Sequence, residues 1–572
     1  MGTRPLTRGR VLLLAGAALL TALAAIAAGS RTAPDKAAAA TAAAQARPNI
    51  VVIETDDQTV EQLRFMPNVK QLIADQGVTF DNSFVSYSLC CPSRSTFLTG
   101  QYAHNHGVMG NSPPSGGYTK LNHQNTLAVW LQRGGYHTVM VGKYLNGYGA
   151  NGTEHDVPPG WSEWYGATKL PFLGFTINEN GQLRTYPADQ ANYQTDVFAG
   201  LAVDAIRRNA GSDTPLFVWL TPHAPHSGPP ADPDDRGTGA FRGPYVAAKY
   251  RNALSGQGLP QPPSFNELDV SDKPAAIRNR RLLNANQTAR ATEMYQQEGE
   301  SLLSVDDAVR SVVDALRAGD ELDRTLLVFT DDNGFMHGEH RIPSGKVVVY
   351  EPSIRVPLVM RGPGIPHGRH VADEVMNVDL APTILDAANV TAGLTTDGRS
   401  LLPLAADRLA DYGRDTLLET PQYSAIRTDR YKYVEYRTGE RELYDLKADP
   451  YELQSRHNDP ALARVRAELA RRLATLRACN GASCRRGPRL TFAVTRVRKR
   501  LRLRVSGLDA AWVSATRFYV NGKLTTTDAR APFTKLILRA RLGPAKVATL
   551  RVHVTTSDGR GVTLVRRLRV RR

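Results

Sequence analysis

The sequence predicts an α/β protein with a mostly parallel central sheet flanked by helices, followed by a small α+β subdomain and an all-β module. Three observations predict it. Between residues 47 and 404, short apolar runs alternate with longer helix-like segments, the pattern of strands joined by crossover helices. Four of those runs end in polar or charged residues, where open α/β sheets place their ligand sites. From residue 485 onward, short stretches of period two alternate with turn residues. At 572 residues the chain is too long for one ordinary domain.

Residues 1–10 carry three arginines, and residues 11–28 are an almost unbroken apolar run ending in small residues. That layout predicts a secretory signal peptide over 1–28 and a secreted or envelope-associated protein. An uncleaved anchor is the alternative, since the run approaches spanning length. Residues 29–46 form an alanine-rich linker with no assigned structure.

The catalytic part is expected over 47–405. Buried strands are predicted at 49–54, 138–142, 216–220 and 325–330, and helices at 66–76, 125–134, 195–209 and 289–318. The first strand ends in Asp56-Asp57, the second in Lys143, the third in a loop carrying His223 and His226, and the fourth in Asp331-Asp332-Asn333-Gly334. Asp-Asp after a strand is an ordinary cap or turn, and so is Asp-Asn-Gly. Both together at one sheet edge mean something else. Asp56, Asp57, Asp332 and Asn333 offer only oxygen, and crowded carboxylates repel unless a cation neutralises them. The donor set points to one hard divalent ion, calcium ahead of magnesium.

The stretch Cys90-Cys91-Pro92-Ser93-Arg94-Ser95-Thr96-Phe97-Leu98-Thr99-Gly100 organises the rest. Pro92 suits the opening turn of a helix over 93–98, which puts Cys90 at the helix entrance. Free N–H groups there and the guanidinium of Arg94 favour an oxyanion such as sulfate or phosphate. On their own, two adjacent cysteines are equally well buried structural residues or half-cystines. The full pattern Cys-x-Pro-Ser-Arg-x-x-x-Leu-Thr-Gly resembles the motif of the sulfatase family, of the alkaline-phosphatase-like superfamily.

That resemblance implies that Cys90 is converted by a formylglycine-generating enzyme to formylglycine (3-oxoalanine), whose hydrated aldehyde is the nucleophile. It implies that the matching Asp56, Asp57, Asp332 and Asn333 bind one Ca²⁺ together with the oxygen at position 90, and that Lys143 and Lys346 hold the sulfate. His226 matches a histidine beside the substrate and is assigned as the acid at the leaving oxygen. His104, His106, His223, His337 and His340 are read as structural. Segments 90–106, 142–149, 302–309, 330–334, 356–364, 379–385 and 397–404 look like the N-acetylglucosamine-6-sulfatase branch, so the substrate is expected to be a sulfated carbohydrate of that kind or an aryl sulfate. Many sulfatases carry histidine two positions after the first lysine, where this chain has Leu145. Four cysteines allow three pairings. If the resemblance holds and Cys90 is consumed, the disulfide is Cys479 with Cys484. Two rival functions stand beside this one: a phosphonate or phosphate diester hydrolase using the same nucleophile and metal, and a non-catalytic envelope-binding protein.

Residues 406–484 are expected to form the C-terminal subdomain, with an antiparallel hairpin or small sheet over 423–445 and a helix over 462–478. Residues 485–572 hold 23 lysines and arginines against 3 aspartates, or +20, while the whole chain is +16, so residues 1–484 sum to −4. Strands are predicted at 490–494, 498–505, 515–520, 533–538, 548–555 and 562–570, with turns at Asn521-Gly522 and Asp558-Gly559, suggesting an immunoglobulin-like sandwich. Its basicity suits a polyanionic glycan or envelope polymer; export makes nucleic acid the poorest partner.

Overall fold

The computed structural model describes residues 47–235 and 239–570; the predicted signal peptide and linker lie outside them. The central sheet has ten strands, β1 (Asn49–Thr55), β2 (Val78–Phe84), β3 (His137–Gly142), β4 (Glu163–Lys169), β5 (Thr176–Glu179), β6 (Gln182–Thr185), β7 (Leu216–Thr221), β8 (Thr325–Asp331), β9 (Leu358–Arg361) and β10 (Arg369–Met376). Their order is β10-β2-β9-β8-β1-β7-β3-β4-β5-β6. The block β8-β1-β7-β3-β4 is parallel throughout, while β9 and β5 run against their neighbours. All four predicted strands form, and they sit side by side in that block.

Alternation along the strands explains the layers. Ile50, Val52, Met140, Phe217, Trp219, Leu326 and Val328 pack on one face. They meet α1 (Cys90–Thr99), α2 (Leu127–Arg133) and α5 (Leu380–Ala388). Val51, Ile53, Val139, Val141, Val218, Leu220, Leu327 and Phe329 pack on the other, against α3 (Gln194–Asn209) and α4 (Ala285–Ala318). α4 starts four residues before the predicted 289, because Asn284 and Gln287 cap each other reciprocally, both at 3.0 Å. The predicted helix over 66–76 forms as an α-helical turn, Pro67–Val69, that continues into a wider π-helical stretch, Lys70–Ala74. Asp306 fixes its start, accepting from the N–H groups of Asn68 and Val69 at 2.9 Å each.

Beyond the central sheet, β11 (Thr416–Glu419), β12 (Tyr423–Arg427), β13 (Tyr431–Tyr436) and β14 (Arg441–Asp445) form an antiparallel meander. One face packs against Ile342, Val349, Tyr350 and Ile354. The other packs against Leu469, Leu473 and Leu476 of α6 (Ala463–Leu476). Cys479 and Cys484 are bridged, and Cys90 and Cys91 are free and buried.

The last segment comprises β15 (Leu490–Val497), β16 (Arg500–Gly507), β17 (Val513–Val520), β18 (Lys523–Asp528), β19 (Thr534–Leu538), β20 (Val547–Thr556) and β21 (Gly561–Arg569). They make two sheets, β15-β16-β19 and β18-β17-β20-β21, around one core of Phe492, Leu503, Phe518, Leu550 and Val552. The basic strand starts at Arg500, not Arg498. Val497 pairs with Arg500, so Arg498 (φ 52°) and Lys499 are the two-residue turn of a hairpin. Among the described residues no helix is long and apolar enough to cross a membrane.

Candidate active site

Four adjacent strand ends, one helix and the loop that carries Lys346 build the site. Thr55 lies opposite Asp331 in the β1–β8 ladder, so the residues that follow, Asp56-Asp57 and Asp332-Asn333, leave the sheet side by side. Asp57 adopts φ 73°, a turn that aspartate tolerates better than most residues. Asp331 ties the two strand ends together, accepting from the N–H of Gln58 at 3.0 Å and of Asn333 at 3.1 Å. Gly142 (φ 115°) lets β3 turn and present Lys143; a Cβ there would sit 2.1 Å from the Thr221 carbonyl oxygen.

α1 begins three residues before the predicted Ser93, so Cys90 lies in its first turn and Pro92 is its third residue. The N–H of Cys91, one of the first-turn donors without a partner inside the helix, is taken up by Asn111 Oδ1 at 3.0 Å.

Cys90 Sγ sits 2.9 Å from Lys346 Nζ and 3.5 Å from Asp56 Oδ1. Lys346 pairs with Asp57, and Lys143 pairs with Asp56. Arg94 donates from Nε to Asp332 Oδ2 at 2.6 Å and from Nη1 to the Lys143 carbonyl at 2.9 Å. Asn333 Nδ2 donates to Asp57 Oδ1 at 2.6 Å. The structure therefore brings every sequence-predicted site residue together, and His226 groups with Asp56 and Cys90. His226 stands at the rim, its Nε2 3.7 Å from Asp57 Oδ2.

Burial and pairing set the charges. Burial works against the anion at Asp56, but Lys143, His226, Arg94 and Lys346 together outweigh it and hold the carboxyl well below the usual range. Burial likewise works against the cations, yet Asp56 keeps Lys143 charged and Asp57 keeps Lys346 charged. Burial, helped by Asp56, pushes the Cys90 thiol up to about 12. As a thiol it is neutral and a poor nucleophile. His226 Nδ1 lies 2.7 Å from the Ser227 carbonyl, which fixes Nδ1 as the protonated nitrogen and turns Nε2 toward the carboxylates. His223 stacks on it with ring centroids 4.8 Å apart, and burial, then His226, lowers its pKa well below normal.

The residues fit a cation. Asp56, Asp57, Cys90 and Asp332 each bring one ligand atom within 4.8 Å of the others, all buried. Asp332 Oδ1 and Asn333 Oδ1 are also buried with no hydrogen-bond partner. Unpaired buried oxygens are costly, and a hard ion satisfies them.

The other histidines are occupied elsewhere: His104 with Glu419, His106 with Thr96, His337 with Glu298 and His340 with Glu267. A cavity of about 630 Å³ lined by Leu259, Tyr295, His337 and Glu351 contains none of the site residues. Sequence reasoning passed over Asn111, Ser227 and Asp331 as functional residues. Only Asp331 carried a signal, as part of an acidic cluster.

The family model "Sulfatase" matches residues 48–390, and the model "N-sulphoglucosamine sulphohydrolase, C-terminal" matches 338–479. An arylsulfatase of Volvox carteri is 36% identical over 507 residues, covering 78% of this chain and 77% of that one. A human N-acetylglucosamine-6-sulfatase is 32% identical over 501 residues, covering 78% and 87%. A solved structure described as in complex with its substrate D-glucosamine-2-N,6-O-disulfate superposes with a TM-score of 0.62 at 23% identity, over 75% of this chain and 97% of that one.

Proposed function

The chain belongs to the sulfatase family, and from that premise we propose that it is an exported, calcium-dependent hydrolase of sulfate monoesters. Its substrate is 6-O-sulfated N-acetylglucosamine or a related sulfated glycan, with aryl sulfates as simpler substrates. The observation that carries this is the convergence of Lys346, Asp56 and, through them, Lys143 and Arg94 on Cys90. The glycan is supported by the N-acetylglucosamine-6-sulfatase relative and by the neighbour described with a sulfated glucosamine. Export is supported by the apolar run at 11–28.

Conversion of Cys90 to formylglycine supplies a hydrated aldehyde, whose hydroxyl is the nucleophile toward sulfur. Asp56, Asp57, Asp332 and Asn333 would hold Ca²⁺ with position 90, and the ion supplies positive charge where the oxygens gain negative charge. The chain's own groups do the rest. Lys143, Lys346 and Arg94 are fixed by their carboxylates before substrate arrives, so they stabilise developing charge on the sulfuryl oxygens without reorganising. Arg94 is fully buried and bonded on two sides, which fixes the direction of its fork. His226 Nε2 faces the site from the rim and, with the ring doubly protonated, gives its proton to the departing sugar oxygen and returns to the neutral form whose Nδ1–H stays on the Ser227 carbonyl. His223 does not compete, because its cation is disfavoured.

Intact mass of the secreted protein tests the conversion of Cys90. Sulfate release before and after chelation tests the metal, and a parallel assay with phosphate and phosphonate esters tests the reaction class. The expected result is converted protein whose sulfatase activity is lost on chelation and restored by calcium. Undiminished hydrolysis by unconverted, chelated protein would sink the proposal, and preference for a phosphorus ester would reassign it.

A further inference from the structure

β16 alternates strictly: Leu501, Leu503 and Val505 face the core, while Arg500, Arg502 and Arg504 face out. Residues directly opposite across a ladder share a face. On one side these arginines lie opposite Val497, Thr495 and Ala493 of β15, and on the other opposite Leu538, Leu536 and Thr534 of β19. Three guanidinium side chains therefore stand in line, about 7 Å apart at two residues per step. The exposed hairpin turn Arg498-Lys499 continues the line at the Arg500 end.

Nothing in the segment neutralises this row. Its three aspartates are engaged elsewhere: Asp509 with Arg489 at 3.3 Å, Asp528 with Lys535 at 3.3 Å, and Asp558 with Arg472 at 2.5 Å and Arg560 at 2.9 Å. Like charges about 7 Å apart lie within one Debye length at physiological salt, so they repel in the free protein. A linear polyanion relieves that repulsion along the whole row.

We propose that the outer face of the β15-β16-β19 sheet binds an extended sulfated polysaccharide through Arg500, Arg502 and Arg504. The forked guanidinium matches sulfate and carboxylate oxygens in pairs, which a row of lysines would not. Single-stranded nucleic acid is the weaker fit. Its binders present aromatic platforms for the bases, and this face offers only aliphatic and small neighbours, with Leu536 and Leu538 about half exposed. The choice of polymer rests on the reading of the active site as a glycan sulfatase: the sheet would hold the chain whose sulfates the site removes.

The test uses the full-length protein and immobilised heparan sulfate. The variant R500S/R502S/R504S is compared with a control, R517S/K523S/R530S, that removes equal charge from the segment away from this face. The ladder variant is expected to bind roughly tenfold or more weakly at low salt, with a shallower dependence of log affinity on log salt. The control should stay near wild type, and melting curves verify that both variants are folded. Equal losses in the two variants, no loss in the ladder variant, or duplex DNA competing as well as the sulfated polymer would each overturn the proposal. Binding needs no turnover, so failure of the sulfatase reading would show separately, as absent sulfate release from any ester by protein that still binds.

Discussion

Two regions of this molecule bury several carboxylates together, and they solve the electrostatic problem in opposite ways. At the strand ends, Asp56, Asp57 and Asp332 are matched by Lys143, Lys346 and Arg94. Where β10 and the loop at 411–413 meet the last segment, Asp373, Glu374, Asp411 and Asp429 line a cavity of about 190 Å³ with His553, Arg414 and Arg560. Arg414 is committed to Asp379, and Arg560 to Asp558. With too few cations, burial and then Asp373 push Asp411 up to about 9, while burial and then Glu374 push Asp429 up to about 8. At the strand ends burial works against the Asp56 anion, but Lys143 and the other cations around it together hold that carboxyl well below the usual range, while burial and then Asp56 raise Asp332. Asp411 keeps its proton and shares it with Asp373, beside His553 of the last segment.

The comparison breaks most sharply at Cys90. Cys90→Ala should abolish measurable sulfate release, a drop of about a thousandfold or more. Cys91→Ala, one residue along the same helix, should keep most activity, and equal losses in the two would show that the pair acts through packing alone. Removing a matched cation comes next. Lys143→Ala leaves Asp56 buried without its main partner and should destabilise the metal-free protein by about 3–5 kcal/mol, with a loss of roughly a hundredfold in kcat. Calcium should recover part of the stability but not kcat; unchanged melting of the metal-free variant would show that the matching is not energetic.

This contrast also marks what could be read from sequence. β1, β3, β7 and β8 were legible because each holds a short apolar run followed by polar or charged residues, and those ends are the site. β2 was not, since Asp81-Asn82-Ser83 interrupts its alternation, and β9 is only four residues long. The site's residue types were visible, but its support was not. Asn111 caps α1 from a loop with no local signal, and Ser227 orients His226 through a backbone carbonyl that any residue would supply. The junction was invisible altogether. Arg472 bridges Asp415 and Asp558, residues distant in the chain, and neither local period nor motif encodes such a meeting. Net charge revealed the basic tail but not its arrangement, which depends on the turn at Arg498-Lys499.

The smallest expected effect lies at the unmatched carboxylates, where the sign is decisive. Asp411 has a folded pKa of about 9, above the ordinary aspartate value of about 3.9, so the folded state binds more protons between those limits. Its contribution is complete below the ordinary value and is lost as pH rises through about 9; Asp429 acts in the same direction up to about 8. Ionising Asp411 beside the last segment should therefore loosen the junction from pH 6 to pH 9. Loosening would appear as faster proteolysis near residue 485 and a lower melting temperature at pH 9 than at pH 6. Asp411→Asn cannot ionise and can still donate to Asp373, so it should flatten that dependence. His553 lies 3.5 Å from Asp411 and would pull the other way as it charges below neutrality, which is why the comparison is made above pH 6. A variant as pH-sensitive as the parent would show that ionisation of Asp411 does not loosen this junction.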